Sequence, residues 1–210
     1  MNAGKIDFEQ GMPPIPFVAC SLIAVNAAVF LFTVSLGALE SEASFLSVGA
    51  LSGELVRHGE VWRLFSSMFL HANVAHLFGN AVGLFILGMA AEHAYGRLEV
   101  LGLYLVSGLC GSILSAITNT GPSVGASGAI FGLLGATIVF FFKHRDYFHW
   151  RDKRIGNVLL MWAGYSIVTA FFTPFIDNAA HVGGLLGGAF LGYWMTPSLL
   201  GMHPEGVQGS

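Results

Sequence analysis

The run GASGAIFGLLGATIVFFF, residues 125–142, places a serine between glycines at the start of an apolar helix. A second run, AAHVGGLLGG at residues 179–188, places a histidine at the start of another. A serine hydroxyl is a weak nucleophile until a neighbouring base accepts its proton. Ser127 and His181 are therefore predicted to be a nucleophile and its base, provided that the fold brings the two helices together at one depth.

The composition is that of a protein embedded in a bilayer. Of 210 residues, 54% are hydrophobic and 10% are charged, and the mean hydropathy is +0.69. Average globular domains carry about 25% charged residues. The net charge of −3 argues against a nucleic-acid partner. Cys20 and Cys110 lie in apolar runs without a CxxC spacing and are predicted to be unpaired.

Hydrophobic patterning predicts a single all-α domain of six membrane-spanning helices. These helices are expected at Phe17–Leu36, Val74–Ala91, Val100–Thr118, Ser127–Phe142, Ile155–Phe172 and Ala180–Met195. The segment from Gly37 to Leu70 is too charged to span and too apolar for a solvated loop, so we expect interfacial helices there. Residues 1–16 form a lead-in, residues 17–196 the six-helix domain, and residues 197–210 a polar tail that is expected to fray.

Charge predicts the orientation of the chain. Five of the nine Lys and Arg residues lie between the fourth and fifth predicted spans, so this loop is expected to be cytoplasmic. Alternation then places both termini in the cytoplasm and the Gly37–Leu70 segment outside. The second, fourth and sixth spans all start from the outer side, which brings Ser127, His181, His76 and Asn80 to similar depth.

Attack on an amide creates an oxyanion that needs preorganised hydrogen-bond donors. His76 and Asn80 are four residues apart, so they share one face of the second span. The backbone N–H of Ser127, at a helix N-terminus, is a further donor. Interhelical hydrogen bonding is the alternative role for His76 and Asn80.

Small residues predict a close approach of the fourth and sixth spans. Gly128 and Gly132 are four apart, and Gly184, Gly188 and Gly192 repeat at the same interval. Small residues at this spacing let two membrane helices pack with their backbones close together. The alternative is that these glycines serve packing alone.

Several other polar residues receive different interpretations. His71, five residues before His76, is expected to face elsewhere and to be structural, and zinc binding by the histidines is disfavoured because no HExxH motif is present. Asp177 could orient His181 as a third triad member, but an outward loop position is favoured. Glu92, Arg97 and Glu99 are expected to form ion pairs at a helix end.

These stretches resemble the rhomboid family of intramembrane serine proteases. The resemblance rests on Trp62-Arg63, HANVAHLFGN at residues 71–80, GASG at 125–128 and AHVGG at 180–184, and it covers roughly residues 17–195. The combination is specific, whereas GxSG alone occurs in many unrelated proteins. The six-helix layout matches the basic form of the family that is common in bacteria.

The resemblance implies a function and a site. It implies that Ser127 is the nucleophile, that His181 is the base of a Ser-His dyad, and that His76 and Asn80 help to bind the oxyanion. Gly125, Gly128 and Phe131 would support the site, with Phe131 packing against the His181 ring in place of the tyrosine often found there. Trp62-Arg63 looks like the structural signature of the first loop.

The resemblance also implies the substrates, the cofactor requirement and the location of the protein. The substrates would be single-spanning membrane proteins, cleaved near the outer face, and neither a cofactor nor a metal would be needed. The location would be a lipid bilayer, taken here as the bacterial inner membrane. The alternatives are a non-catalytic relative that binds transmembrane clients, and a transporter or channel, for which inverted repeats would be expected but are not evident.

Overall fold

The structure is a computed structural model that describes residues 5–119, 121–173 and 176–201. Within these ranges the chain folds into ten helices, with two short 3₁₀ turns and two isolated β-bridges. The helices are α1 (Phe17–Ser35), α2 (Glu42–Ser47), α3 (Gly53–Arg57), α4 (Arg63–Ser66), α5 (Val74–Tyr95), α6 (Arg97–Thr118), α7 (Ser127–Lys143), α8 (Trp150–Phe171), α9 (Asn178–Trp194) and α10 (Ser198–Gly201).

The six long helices correspond to the six predicted spans. Among the described residues, α1, α5 and α6 are long and apolar enough to cross a bilayer by length and composition, and α7 is apolar but has 17 residues. Membrane spanning by α7, α8 and α9 therefore stays a prediction. Residues 1–4, Thr120 in the predicted outer turn, and the tail from residue 202 lie outside the described residues.

Helix α9 lies parallel to α7 at very short distance. A β-carbon built on Gly184 would stand 1.9 Å from the carbonyl oxygen of Gly128, and one on Gly188 would stand 1.9 Å from that of Gly132. Further along, Gly192 faces Ala136 in the same way. The expectation that these glycines bring the two backbones together is confirmed, and it places the N-terminal ends of α7 and α9 side by side.

Helix α6 crosses the same pair in the opposite direction. Gly132 of α7 faces Ser107, while Gly111, one turn further along α6, faces Ala180 at the start of α9. Helix α5 runs parallel to α7, since the Tyr95 hydroxyl at its C-terminal end donates to the carbonyl of Ala136, 2.9 Å away. The N-terminal ends of α5, α7 and α9 therefore meet at one end of the bundle.

The segment between α1 and α5 is organised by one buried arginine. The Arg63 guanidinium is 5% exposed, pairs with Glu60 at 2.6 Å, and donates to the carbonyls of Leu46 and Ala50 at 2.5 and 2.9 Å. It also lies 4.6 Å from the centre of the Trp62 ring. Arg63 thereby ties α4 to α2 and to the turns on either side of α3, as expected of a structural signature.

The N-terminal lead-in is not merely a polar extension. Phe8 is 4% exposed and packs against Phe140, Phe141 and Phe148, with ring centres 4.8 to 6.1 Å away. Its backbone N–H donates to Asp152 at the start of α8, 2.9 Å away. The lead-in thus ties α8 to the end of α7 that lies opposite Ser127.

Two further expectations at this end of the bundle were wrong. Glu92 and Glu99 form no ion pair with Arg97 among the described residues; Glu92 is buried and accepts from the backbone N–H of Ala19, 2.8 Å away, near the start of α1. The tail does not fray directly after α9, since α10 forms and Leu199 is 1% exposed. Cys20 and Cys110 are free, as expected.

The burial of Phe8 leads to a stability prediction. Phe8→Ala should lower the free energy of unfolding by about 3 kcal/mol, because it removes a buried aromatic ring and leaves a cavity. Thermal unfolding in detergent would measure this, with Phe171→Ala as the control, since Phe171 is 70% exposed. Equal melting temperatures for the two variants would contradict the docking of the lead-in.

Candidate active site

The loop that precedes α7 is held by the segment that precedes α5. Leu51 and Ser123 exchange backbone hydrogen bonds at 2.9 and 3.0 Å, and the Gly125 N–H donates to the Ser67 carbonyl at 2.9 Å. Gly125 adopts a φ of +125°, which favours glycine. This anchoring fixes where α7 begins, and Ser127 is its first residue.

A cavity of about 640 Å³ lies between the N-terminal ends of α5, α7 and α9 and the C-terminal half of α8. Its wall includes the predicted site residues His76, Asn80, Ser127, Phe131 and His181, together with Asp177 and Trp162. A much smaller cavity of about 10 Å³, the size of a single water, lies beside Ser127 and is lined by Ser67, Ser112 and Ser123. Ser127 thus lines both cavities.

The His181 ring is held by stacking. His181 is 8% exposed, and its ring lies 4.2 Å from that of Phe131, with 9° between the planes. The expectation that Phe131 packs against His181 is confirmed. The Nδ1 atom of His181 is buried without a hydrogen-bond partner, and no hydrogen bond joins Ser127 to His181 within the described ranges. Catalytic hydrogen bonds often tighten only when substrate is bound.

Asn80 presents a buried donor to the same region. Asn80 is 8% exposed, and its Nδ2 atom has no partner among the described residues. A buried amide nitrogen without a partner is uncommon in folded proteins and calls for an explanation. A β-carbon on Gly125 would stand 3.4 Å from this nitrogen and 2.8 Å from Nε2 of His76. His76 and Asn80 therefore both lie against the loop that leads to Ser127.

His71 lies elsewhere than expected, and the contacts of Asp177 bear on whether it could act as a third triad member. His71 does not face away: its ring centre lies 5.2 Å from that of His76, because His71 precedes the first residue of α5 and helical spacing does not apply to it. Burial, and after it the neighbouring His76, lowers the pKa of His71 to about 4, so its ring is neutral at pH 7. The Asp177 carboxylate accepts from the backbone N–H of Ala180 and the hydroxyl of Ser115, and not from the His181 ring.

The described residues contain no group of three or more His, Cys, Asp or Glu side chains arranged to hold a metal ion. The fold and the cavity define a helical membrane protein. Its cavity brings together the hydroxyl of Ser127, the imidazoles of His76 and His181, and the carboxamide of Asn80. Such a set of groups can supply a nucleophile, a base and hydrogen-bond donors.

Comparison with known proteins identifies the family. Residues 58–198 match the family model described as the rhomboid domain. The chain is 34% identical over 202 residues to "Rhomboid protease GluP" of Bacillus subtilis (strain 168), which covers 96% of this chain and 38% of that protein. It is 30% identical over 208 residues to "Rhomboid protease AarA" of Providencia stuartii, covering 86% of this chain and 73% of that protein.

Plant proteins are similar as well. "RHOMBOID-like protein 5" of Arabidopsis thaliana is 38% identical over 149 residues, which cover 70% of this chain and 48% of that protein. The chain belongs to the rhomboid family and is an integral membrane protein. The chain spans about two fifths of the length of GluP and about half of the length of this plant relative.

Proposed function

We propose that this protein is an intramembrane serine endopeptidase that cleaves transmembrane segments of other membrane proteins. The observation that supports this most is the cavity shared by Ser127, His181 and Asn80. Membership in a family that includes named proteases supports the same reaction. No cofactor takes part in the proposed mechanism.

In the proposed mechanism His181 accepts the proton of Ser127 as its hydroxyl attacks the scissile carbonyl. Donors from Asn80, His76 and the Ser127 backbone N–H stabilise the oxyanion that forms. His181 then gives its proton to the leaving amine, and an acyl-enzyme remains on Ser127. Water, deprotonated by His181, releases the second product and restores the serine.

The substrate must unwind before it can react. A regular transmembrane helix uses each carbonyl in its own hydrogen bonds, which hides the carbonyl carbon from a nucleophile. We therefore propose single-spanning substrates with small or helix-weakening residues near the scissile bond. Cleavage would occur near the outer face, because the positive-inside rule puts the N-terminal ends of α5, α7 and α9 there.

The proposed setting is a bacterial inner membrane, with six spans, residues 17–196 as the protease domain and both termini in the cytoplasm. The first loop would lie in the outer interface beside the bundle. A non-catalytic rhomboid that binds transmembrane clients is the alternative function. The presence of both Ser127 and His181 counts against it.

The proposal is tested by incubating purified protein in liposomes with a panel of single-spanning substrates and weighing the products by mass spectrometry. Cleavage within or beside the transmembrane segment supports the protease. Stable complexes with intact substrate, and no product, would instead support the binder.

The role of Asn80 gives a separate prediction. Asn80→Ala should lower kcat by about 10²-fold with a smaller change in KM, because the lost donor acts mainly in the transition state. Phe78→Ala is the control, since Phe78 lies on the same turn of α5 and is 70% exposed. If both variants cleave at the wild-type rate, Asn80 is not an oxyanion donor.

A further inference from the structure

Both carboxylate oxygens of Asp177 accept hydrogen bonds from groups other than the His181 ring. It is the N-cap of α9, where its Oδ1 atom accepts from the backbone N–H of Ala180 at 2.9 Å. Its Oδ2 atom accepts from the hydroxyl of Ser115, which lies near the end of α6. Within the part of the chain that the structure describes, the Nδ1 atom of His181 has no hydrogen-bond partner, so Asp177 does not orient the imidazole as the acid of a triad does.

Ser115 is built into the bundle. It is 1% exposed, and besides donating to Asp177 it accepts from the side chain of Asn119 at 3.4 Å. A short chain of hydrogen bonds therefore runs from the last turn of α6 to the first residues of α9. Hydrogen bonds to a carboxylate are stronger than those between neutral groups, so this contact can hold the two helix ends in register.

His181 lies one turn after Asp177. Its backbone N–H donates to the Asp177 carbonyl at 3.2 Å, so His181 belongs to the turn that this cap fixes. The ring itself is oriented by stacking on Phe131 and by no hydrogen bond at Nδ1. A change of a few tenths of an ångström in the start of α9 would therefore move the imidazole relative to Ser127.

We infer that Asp177, held by Ser115, is a positioning residue that fixes the position of His181 through the backbone of α9. In a triad, an acid that is hydrogen-bonded to Nδ1 of the histidine has this role. The inference rests on the proposed function, since it assigns this role for cleavage by Ser127. It concerns hydrogen bonding by the Asp177 side chain. In Asp177→Asn the amide oxygen can still accept from Ala180, since asparagine is as good an N-cap as aspartate, and the amide nitrogen can donate to the Ser115 hydroxyl oxygen.

The test compares kcat and KM for wild type, Asp177→Ala, Asp177→Asn and Ser115→Ala in liposomes. Active sites are counted by covalent labelling with a fluorophosphonate, so that loss of folded protein does not count as loss of rate. Thr118→Ala is the matched control, because Thr118 also ends α6 but, among the described residues, its hydroxyl bonds only to the carbonyl of Leu114 in its own helix.

We expect Asp177→Ala to lower kcat per active site by about 10-fold to 10²-fold with KM nearly unchanged, because misplacing a reacting group by less than 1 Å has effects of this size. Ser115→Ala should show a smaller loss of the same kind. Asp177→Asn should recover most of the rate, and Thr118→Ala should match wild type.

Three outcomes overturn the inference while leaving the protease intact. They are wild-type kcat in both Asp177→Ala and Ser115→Ala, an Asp177→Asn variant as slow as Asp177→Ala, and a change confined to KM. If Asp177→Ala does not fold, Asp177→Asn and Ser115→Ala decide by the same criteria. A wild-type protein that neither cleaves nor labels at Ser127 would instead reject the proposed function itself.

Discussion

Ser127→Ala and His181→Ala should each lower kcat for a transmembrane substrate by about 10⁴-fold or more, because serine and base act as one unit and removing either abolishes nucleophilic attack. Substrate binding should change little, since most of the cavity wall remains. The measurement is product formation over hours at saturating substrate, with melting temperature recorded for each variant.

Cys110→Ala is a suitable control for these two variants, since Cys110 is a partly buried free cysteine of α6 and does not line the cavity. It should cleave at close to the wild-type rate. Cleavage by Ser127→Ala at more than a few per cent of the wild-type rate would mean that another group attacks the substrate.

Among substitutions that add a single methyl group in the bundle core, Gly188→Ala should be the most destabilising. Its β-carbon would stand 1.9 Å from the Gly132 carbonyl oxygen and 2.5 Å from the Gly132 α-carbon, and backbone cannot move aside as a flexible side chain can. Overpacking of this kind costs about 3 kcal/mol. Because α7 carries Ser127 and α9 carries His181, forcing these helices apart should also lower cleavage.

The matched control for Gly188→Ala is Gly102→Ala on α6, where nothing lies within 4 Å of the added carbon. That change should be neutral or stabilise the helix by up to about 1 kcal/mol. Thermal unfolding of both variants in the same detergent provides the comparison. Equal melting temperatures would show that α7 and α9 do not approach as closely as described.

Much of the helical layout could be predicted from sequence because apolar runs mark helices whatever their neighbours are. The predicted span Ser127–Phe142 differs from α7 by a single residue at one end. The prediction for α5 stopped at Ala91, four residues short, because Glu92 and His93 look like the polar end of a span. Both are buried against α1 and the lead-in, and such contacts between distant segments leave no local pattern.

The candidate site was predictable to the extent that helix direction alone determines it. Parallel helices with polar residues near their N-terminal ends bring His76, Asn80, Ser127 and His181 together, and all four line one cavity. The bond between Ser115 and Asp177 was not predictable, because it joins residues 62 positions apart and serine is common on membrane helices. His71 was misjudged because helical spacing was applied to a residue that precedes both the predicted span and α5, each of which starts at Val74.

The proposed mechanism requires that Ser127 is a nucleophile activated by His181. The most direct measurement is labelling of the wild-type protein by a fluorophosphonate in liposomes, with the modified residue located by peptide mass spectrometry. We expect a single adduct on Ser127, which should form about 10²-fold more slowly or slower still in His181→Ala. An adduct elsewhere, none at all, or equal labelling rates in the two proteins would contradict it.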